Sequence, residues 1–194
     1  MKLILLRHGQ TEWNLALKMQ GWRDSKLTAK ARKALKKLPE KKIACDVIYS
    51  SDLGRAMATA RIVANKNGAR IVLDKRLRER DFGVLSGLKK NSDKVPANYW
   101  SAYQQRYQQQ VTQVPEIECE YDFEQRITAF ICHLEQKHYG QTVLLVSHGE
   151  WIRALMNINI GLESWHQGEG VVDNGIPFYI KTKRKLDCVN GVKK

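Results

Sequence analysis

Along the chain, blocks of wholly apolar residues alternate with blocks whose apolar positions recur at helical spacing. Leu3–Leu6 is a short apolar run of the kind a strand buried on both faces requires. The same reading predicts strands at Asp46–Tyr49, Arg70–Leu73, Thr142–Ser147 and Pro177–Lys181. Thr28 can cap a helix running to about Leu38, ahead of Pro39. Ser51 or Asp52 can cap a second helix that runs through Asn65 and ends at Gly68. Residues 84–120 are polar and irregular, with a helix expected from Ala97 to Gln110. Asp122, with Gln125 three positions on, resembles a capping box that opens a helix to about His138. A last helix is expected over Glu150–Ile160, stopped by Gly161. Alternating strands and helices predict an α/β fold: a three-layer sandwich with a mostly parallel central sheet flanked by helices.

The 194 residues suit one domain, and no apolar run reaches the 18 residues of a membrane span. The N-terminal apolar run is too short for a signal-peptide core. Cys45, Cys119, Cys132 and Cys188 are widely spaced with no paired motif. We therefore expect reduced thiols in a cytoplasmic protein, with no metal site. The net charge of +13 raises nucleic-acid binding as an option. It is concentrated, however. Residues 26–42 hold eight Lys/Arg against one Glu, and residues 181–194 hold six against one Asp. Such runs read as solvated faces, so a nucleic-acid partner is not expected despite the charge.

Two positions carry chemistry. Arg7-His8-Gly9 follows the first strand directly, and Ser147-His148-Gly149 follows the Thr142–Ser147 strand. Ligands of open α/β sheets bind beyond the carboxyl ends of the strands. Glycine after each histidine lets the backbone approach a ligand and offers an N–H to an anion. Arg55 falls in the first turn of the helix after Asp46–Tyr49, at the same edge of the sheet. Arginine forks match phosphate oxygens. Two histidines and two arginines at one edge point to a phosphate pocket.

On these residues the chain resembles the histidine phosphatase (phosphoglycerate mutase-like) superfamily, and its phosphatase branch in particular. The resemblance spans Leu3 to about Phe178. Its segments are Leu6-Arg7-His8-Gly9-Gln10-Thr11-Glu12-Trp13-Asn14, Gln20-Gly21-Trp22-Arg23-Asp24 with Leu27-Thr28, Ser50–Ala56 with Thr59-Ala60, Leu77–Gly83 and Val146–Gly149 with Ile152–Leu155. The resemblance implies that His8 is the phosphorylated nucleophile and that Arg7, Arg55, His148 and Asn14 hold phosphate. It implies Glu79 as the proton carrier, with Asp81 as the rival, and places Gln20, Gly21 and Gly149 around the substrate. No cofactor or metal is implied. The expected function is hydrolysis of a small phosphomonoester, with a small phosphorylated metabolite as partner. Phosphoglycerate mutase is the alternative, and a basic binding module without catalysis a more distant one. Relatives act on sugar phosphates, nucleotide-like phosphates, phosphoglycerates and phosphoproteins. The oligomeric state stays open.

The chain departs from the family pattern around the phosphate site. Leu85-Ser86-Gly87 stands where many relatives have Trp-Glu-Gly, and Glu116-Ile117-Glu118-Cys119 where many have Gly-Gly-Glu-Ser. Ala31 replaces a glycine, and Glu150 a small residue. Residues 86–118 are expected to form a cap-like insertion within a single domain over 1–194. Tyr99, Trp100, Tyr103 and Tyr107 would pack it onto the sheet or touch the organic part of the substrate.

Overall fold

A computed structural model describes residues 1–181. Five strands, β1 (Lys2–Arg7), β2 (Val47–Ser50), β3 (Ile71–Leu73), β4 (Thr142–Ser147) and β5 (Pro177–Ile180), form one sheet in the order β3-β2-β4-β1-β5. All neighbouring pairs are parallel except β1 with β5, which run antiparallel. The helices are α1 (Glu12–Leu15), α2 (Ala29–Lys36), α3 (Gly54–Asn67), α4 (Ala97–Gln104), α5 (Glu120–Lys137) and α6 (Gly149–Asn159).

Three layers follow from the two-residue period of the strands. Leu3 and Leu5 of β1, Val47 and Tyr49 of β2, and Val143 and Leu145 of β4 face one side. There they pack with Phe123, Ile127, Phe130, Trp151 and Ile152 of α5 and α6. Ile4, Leu6, Ile48, Leu144 and Val146 face the other side, against Ala56, Ala60 and Val63 of α3. Because both faces are covered, the central strands read as unbroken apolar runs.

The predicted elements form, with shifted ends. Thr28 caps α2 as expected, its Oγ1 accepting from the Ala31 N–H at 3.0 Å. The exposed side of α2 carries Lys30, Lys33, Lys36 and Lys37. The cap of α3 is Leu53, not Ser51 or Asp52, because the Asp52 carboxylate is taken by the Arg78 guanidinium. The helix expected to reach Gln110 stops at Gln104. α5 starts at Glu120, with Cys119 Sγ accepting from the Asp122 N–H, so the expected capping box at Asp122 is not used. Trp100 and Tyr103 pack with Phe82, Leu85, Val111 and Val114 in a third cluster that includes no strand residue. They therefore do not pack residues 86–118 onto the sheet. Cys45 and Cys119 hold free thiols. Cys132 is not among them, so the expectation of reduced thiols does not extend to it. Cys188 and the basic segment 182–194 lie outside the described residues. Among these residues no helix is long and apolar enough to cross a membrane.

One buried ion pair ties the Glu79 segment to α5. Arg80 pairs with Glu120, and their side chains are 3% and 4% exposed. Removing one partner of such a pair strands a buried charge. Arg80→Ala is expected to lose about 3–5 kcal/mol of stability. The double replacement Arg80→Met with Glu120→Leu, which strands no charge and gives up only the Arg80 Nε bond to the Glu118 carbonyl, is expected to lose clearly less. Chemical denaturation midpoints test this, and a double variant as unstable as the single one would refute the ion-pair account.

Candidate active site

The register of β1 on β4 pairs Arg7 with Ser147. The next residues, His8 and His148, therefore leave the sheet side by side, with ring centroids 5.2 Å apart. Both are buried. Ser147 Oγ donates to the Leu77 carbonyl at 2.8 Å, which brings the chain leading to Glu79 against the end of β4. The Arg126 guanidinium of α5 donates to the carbonyls of Arg76, Arg78 and Glu79. Trp22 Nε1 donates to the same Glu79 carbonyl at 2.8 Å. Glu79 is thus held by its backbone from two directions.

The His8 ring is oriented by its own turn. Nδ1 lies 2.8 Å from the Gly9 carbonyl. A carbonyl only accepts, so Nδ1 carries the proton and Nε2 keeps its lone pair. The Gly9 N–H, expected to face an anion, donates instead to Thr59 Oγ1 at 3.0 Å. Thr59 in turn donates to the Arg55 carbonyl one helical turn earlier, which couples the His8 turn to the Arg55 turn.

Arg55 is 2% exposed. Its NH1 donates to the Arg23 carbonyl and to Asp24 Oδ1, and its NH2 to the Gly21 carbonyl at 2.7 Å. Among the described residues its Nε has no partner. Arg7 is similar: NH1 donates to the Val172 carbonyl at 2.8 Å, while its buried Nε has no partner. Both ring nitrogens of His148 also lack one. Four buried polar atoms without a partner, three side chains around one histidine, are costly unless an oxygen-rich ligand satisfies them.

Burial pushes the His8 and His148 imidazoles well below the usual range, and Arg55 pushes the same way on both. Both rings are neutral at pH 7. Burial raises the Glu79 carboxyl, helped by the nearby Glu150 and opposed by Arg55 and Arg7. The Glu79 oxygens accept from the N–H groups of Arg80 and Trp151, at 3.0 and 3.3 Å, and from that of Glu150 at 3.4 Å.

A cavity of about 210 Å³ is lined by Arg7, His8, Asn14, Gln20, Gly21, Arg55, Glu79 and Gly149. Eight of the nine residues singled out from the sequence thus share one wall. The ninth, His148, is buried beside His8. Asp81 is not in the lining, and its Oδ1 accepts from the Gly83 N–H instead. Asn14 Oδ1 accepts from Thr11, so its amino group is the part left to meet a ligand. Gly149 is closely packed: a Cβ there would lie 2.6 Å from Val171 Cγ1 and 3.3 Å from Arg7 Cζ, so those side chains would have to shift. Ser86 is buried beside Gly21 rather than at the cavity wall.

Sequence reasoning missed Lys18, Arg106 and Val171, which also line the cavity. It noted Tyr103 only within the aromatic run and Glu150 only as a departure, yet both are wall residues. No spacing marks Arg106, because it reaches the site across a tertiary contact to Glu150. Among the described residues no group of His, Cys, Asp and Glu is arranged to hold a metal.

Comparison with known proteins matches most of this chain. Residues 3–175 match the histidine phosphatase superfamily (branch 1). The "Probable phosphoglycerate mutase GpmB" of Salmonella arizonae is 34% identical over 167 residues, covering 85% of this chain and 77% of that protein. The 2,3-bisphosphoglycerate-dependent phosphoglycerate mutase of Brucella anthropi is 33% identical over 186 residues, covering 90% and 89%. The structure of the α-ribazole phosphatase from Shigella flexneri aligns with a TM-score of 0.78 at 26% identity, covering 93% of this chain and 90% of that one. These relatives include both phosphatase and mutase enzymes, and the chain belongs to the histidine phosphatase superfamily.

Proposed function

We propose that the protein is a phosphatase that hydrolyses a small phosphomonoester through a phosphohistidine on His8. The observation that carries this reading is the set of buried, partnerless nitrogens of Arg7, Arg55 and His148 around the unprotonated Nε2 of His8. Phosphoryl transfer spreads negative charge over three equatorial oxygens, and its catalysis is mainly positioning and electrostatics. Arg7, Arg55 and a neutral His148 donating one N–H match that need, with the Asn14 amino group beside them. Gln20, Gly21 and Gly149 line the substrate side.

His8 Nε2 attacks phosphorus as the bond to the leaving oxygen breaks. Glu79 gives its proton to that oxygen, and an alcohol departs. Water then attacks phosphorus, Glu79 takes its proton, the P–N bond breaks and inorganic phosphate leaves. Burial serves the first step, since it keeps His8 unprotonated and Glu79 protonated closer to neutral pH than free carboxyls are. The cavity of about 210 Å³ supports a small metabolite rather than a phosphoprotein. We place the enzyme in the cytoplasm, as a single domain in which residues 86–118 form a cap bearing Tyr103 and Arg106 on the cavity.

A screen of phosphorylated metabolites, with His8→Ala as the blank, tests the reading. On an alkyl phosphate, a poor leaving group that needs the proton, turnover is expected to be faster below neutral pH. It falls as pH rises through the elevated pKa of Glu79 and its proton is lost. A flat or rising profile up to pH 8 would count against Glu79 as the acid. The mutase relatives support a second reading, phosphoglycerate mutase. A coupled mutase assay primed with bisphosphoglycerate decides between the two, and mutase flux exceeding phosphate release would displace the phosphatase reading.

A further inference from the structure

We infer that Glu150 is a positioning residue for proton transfer, a fixed buried negative charge that keeps the proton on Glu79 beside two arginines. The inference rests on the acid role of Glu79 proposed above. A phosphate clamp needs Arg7 and Arg55 close to the acid, and both favour loss of its proton. Burial opposes them first, and a nearby negative charge adds to it.

Glu150 is placed to do so. It is the second residue of α6, its own N–H meets Glu79 Oε2 at 3.4 Å, and it lines the same cavity. It is 5% exposed, so little water screens its charge. Its carboxylate is bonded on every side. Arg153 Nε and NH2 reach Oε2 at 3.0 and 2.9 Å, while Arg106 Nε and the Tyr107 hydroxyl reach Oε1 at 3.2 and 2.9 Å. The Tyr107 ring lies between the Arg106 and Arg153 guanidiniums, at 4.1 and 4.6 Å from its centroid. Burial alone would raise the Glu150 carboxyl, but Arg153 and Arg106 outweigh it and hold it below the usual range. Glu150 therefore stays charged and cannot swing away.

Every element packed on Glu79 contributes to its balance. Arg7 comes from the end of β1, Arg55 from α3, Glu150 from α6, and Tyr103 and Arg106 from α4 and the turn after it, which share the cavity with Glu79. His8 and His148 at the strand ends are neutral, and Arg126 of α5 meets the Glu79 carbonyl. Glu150 is the negative side chain among them.

The test is the pH dependence of kcat/KM for an alkyl phosphate and for an aryl phosphate, in the intact chain. Comparing variants with the unaltered protein cancels the ionisation of the substrate. In Glu150→Gln, which keeps the shape but presents one acceptor oxygen in place of two, the alkaline limb for the alkyl substrate is expected to move down by roughly 0.5–1 pH unit. Above that limb, the loss is about three- to tenfold. The aryl substrate, whose leaving group needs no proton, loses much less. Arg106→Gln makes the same wall more negative and is expected to move the limb upward. Opposite shifts do not arise from general loosening of the site. An unmoved or raised limb in Glu150→Gln, with His8-dependent turnover intact, overturns the inference and leaves the phosphatase reading standing. If Glu150→Gln does not fold, a downward or absent shift in Arg106→Gln overturns it. Absence of phosphohistidine and of turnover in the unaltered protein overturns both readings.

Discussion

His8→Ala is expected to reduce turnover of every phosphomonoester by on the order of 10⁴-fold or more, and to abolish covalent labelling from a radiolabelled substrate. The size follows from what is removed. In the proposed mechanism the imidazole supplies the attacking electron pair, and among the described residues the cavity offers no second histidine in its lining. His148 is 5.2 Å away, but among the described residues neither of its ring nitrogens has a partner to fix its tautomer. Water would have to attack directly, helped only by the residual clamp. Removal of the nucleophile from such a unit typically leaves activity that reflects binding and electrostatics alone. The phosphorylated intermediate gives an independent readout. A phosphoramidate is labile in acid and stable in alkali, so trapped label must show that pattern in the unaltered protein and vanish in the variant. Residual turnover within a hundredfold, or label that persists in the variant, would remove His8 from the role.

Arg55→Lys, which keeps the charge, is expected to lose roughly 10²–10³-fold in kcat/KM. The guanidinium performs two tasks at once. Its NH1 and NH2 hold the loop 21–24 through the carbonyls of Gly21 and Arg23 and through Asp24, and its Nε is left for the ligand. One ammonium cannot hold that loop and still present a donor to phosphate. The loop carries Gly21, and Gln20 lies just before it, both on the cavity wall, so misplacement should also weaken binding. Inhibition by inorganic phosphate therefore weakens along with kcat/KM. Stability should fall as well, by about 1–3 kcal/mol, because the Arg55 side chain is 1% exposed and its bond to the Gly21 carbonyl is buried, so a donor lost there leaves a buried acceptor unsatisfied. A lysine variant within tenfold of the parent would show that charge alone suffices and that the fork geometry does not matter.

Much of this site is legible locally. A strand followed by Arg-His-Gly places Arg7 and His8 at the carboxyl edge of a sheet whatever the rest of the chain does. The same holds for His148 after β4 and for Arg55 at the start of α3. The apolar runs of β1, β2 and β4 and the Thr28 cap are encoded within a few residues, so they were predictable. Errors fell where a distant group competes for a side chain. Asp52 looks like a helix cap, but Arg78 takes its carboxylate. The Gly9 N–H looks available, but Thr59 takes it. The aromatic run looks like a layer on the sheet, but Trp100 and Tyr103 close a cluster of their own.

The sequence by itself determined the α/β class, the family and the residue types proposed to meet a phosphate. Each of these depends on chain-local signals: apolar period, strand ends, and motifs of a few residues. Only the tertiary structure decided which atoms of those residues are available and how they ionise. The tautomer of His8, the partnerless nitrogens of Arg7 and Arg55, the elevated Glu79 and the Arg106–Glu150–Arg153 wall all arise from burial and from contacts between residues far apart in the chain. Desolvation and through-space charge depend on three-dimensional distance, which residue order along a chain does not state.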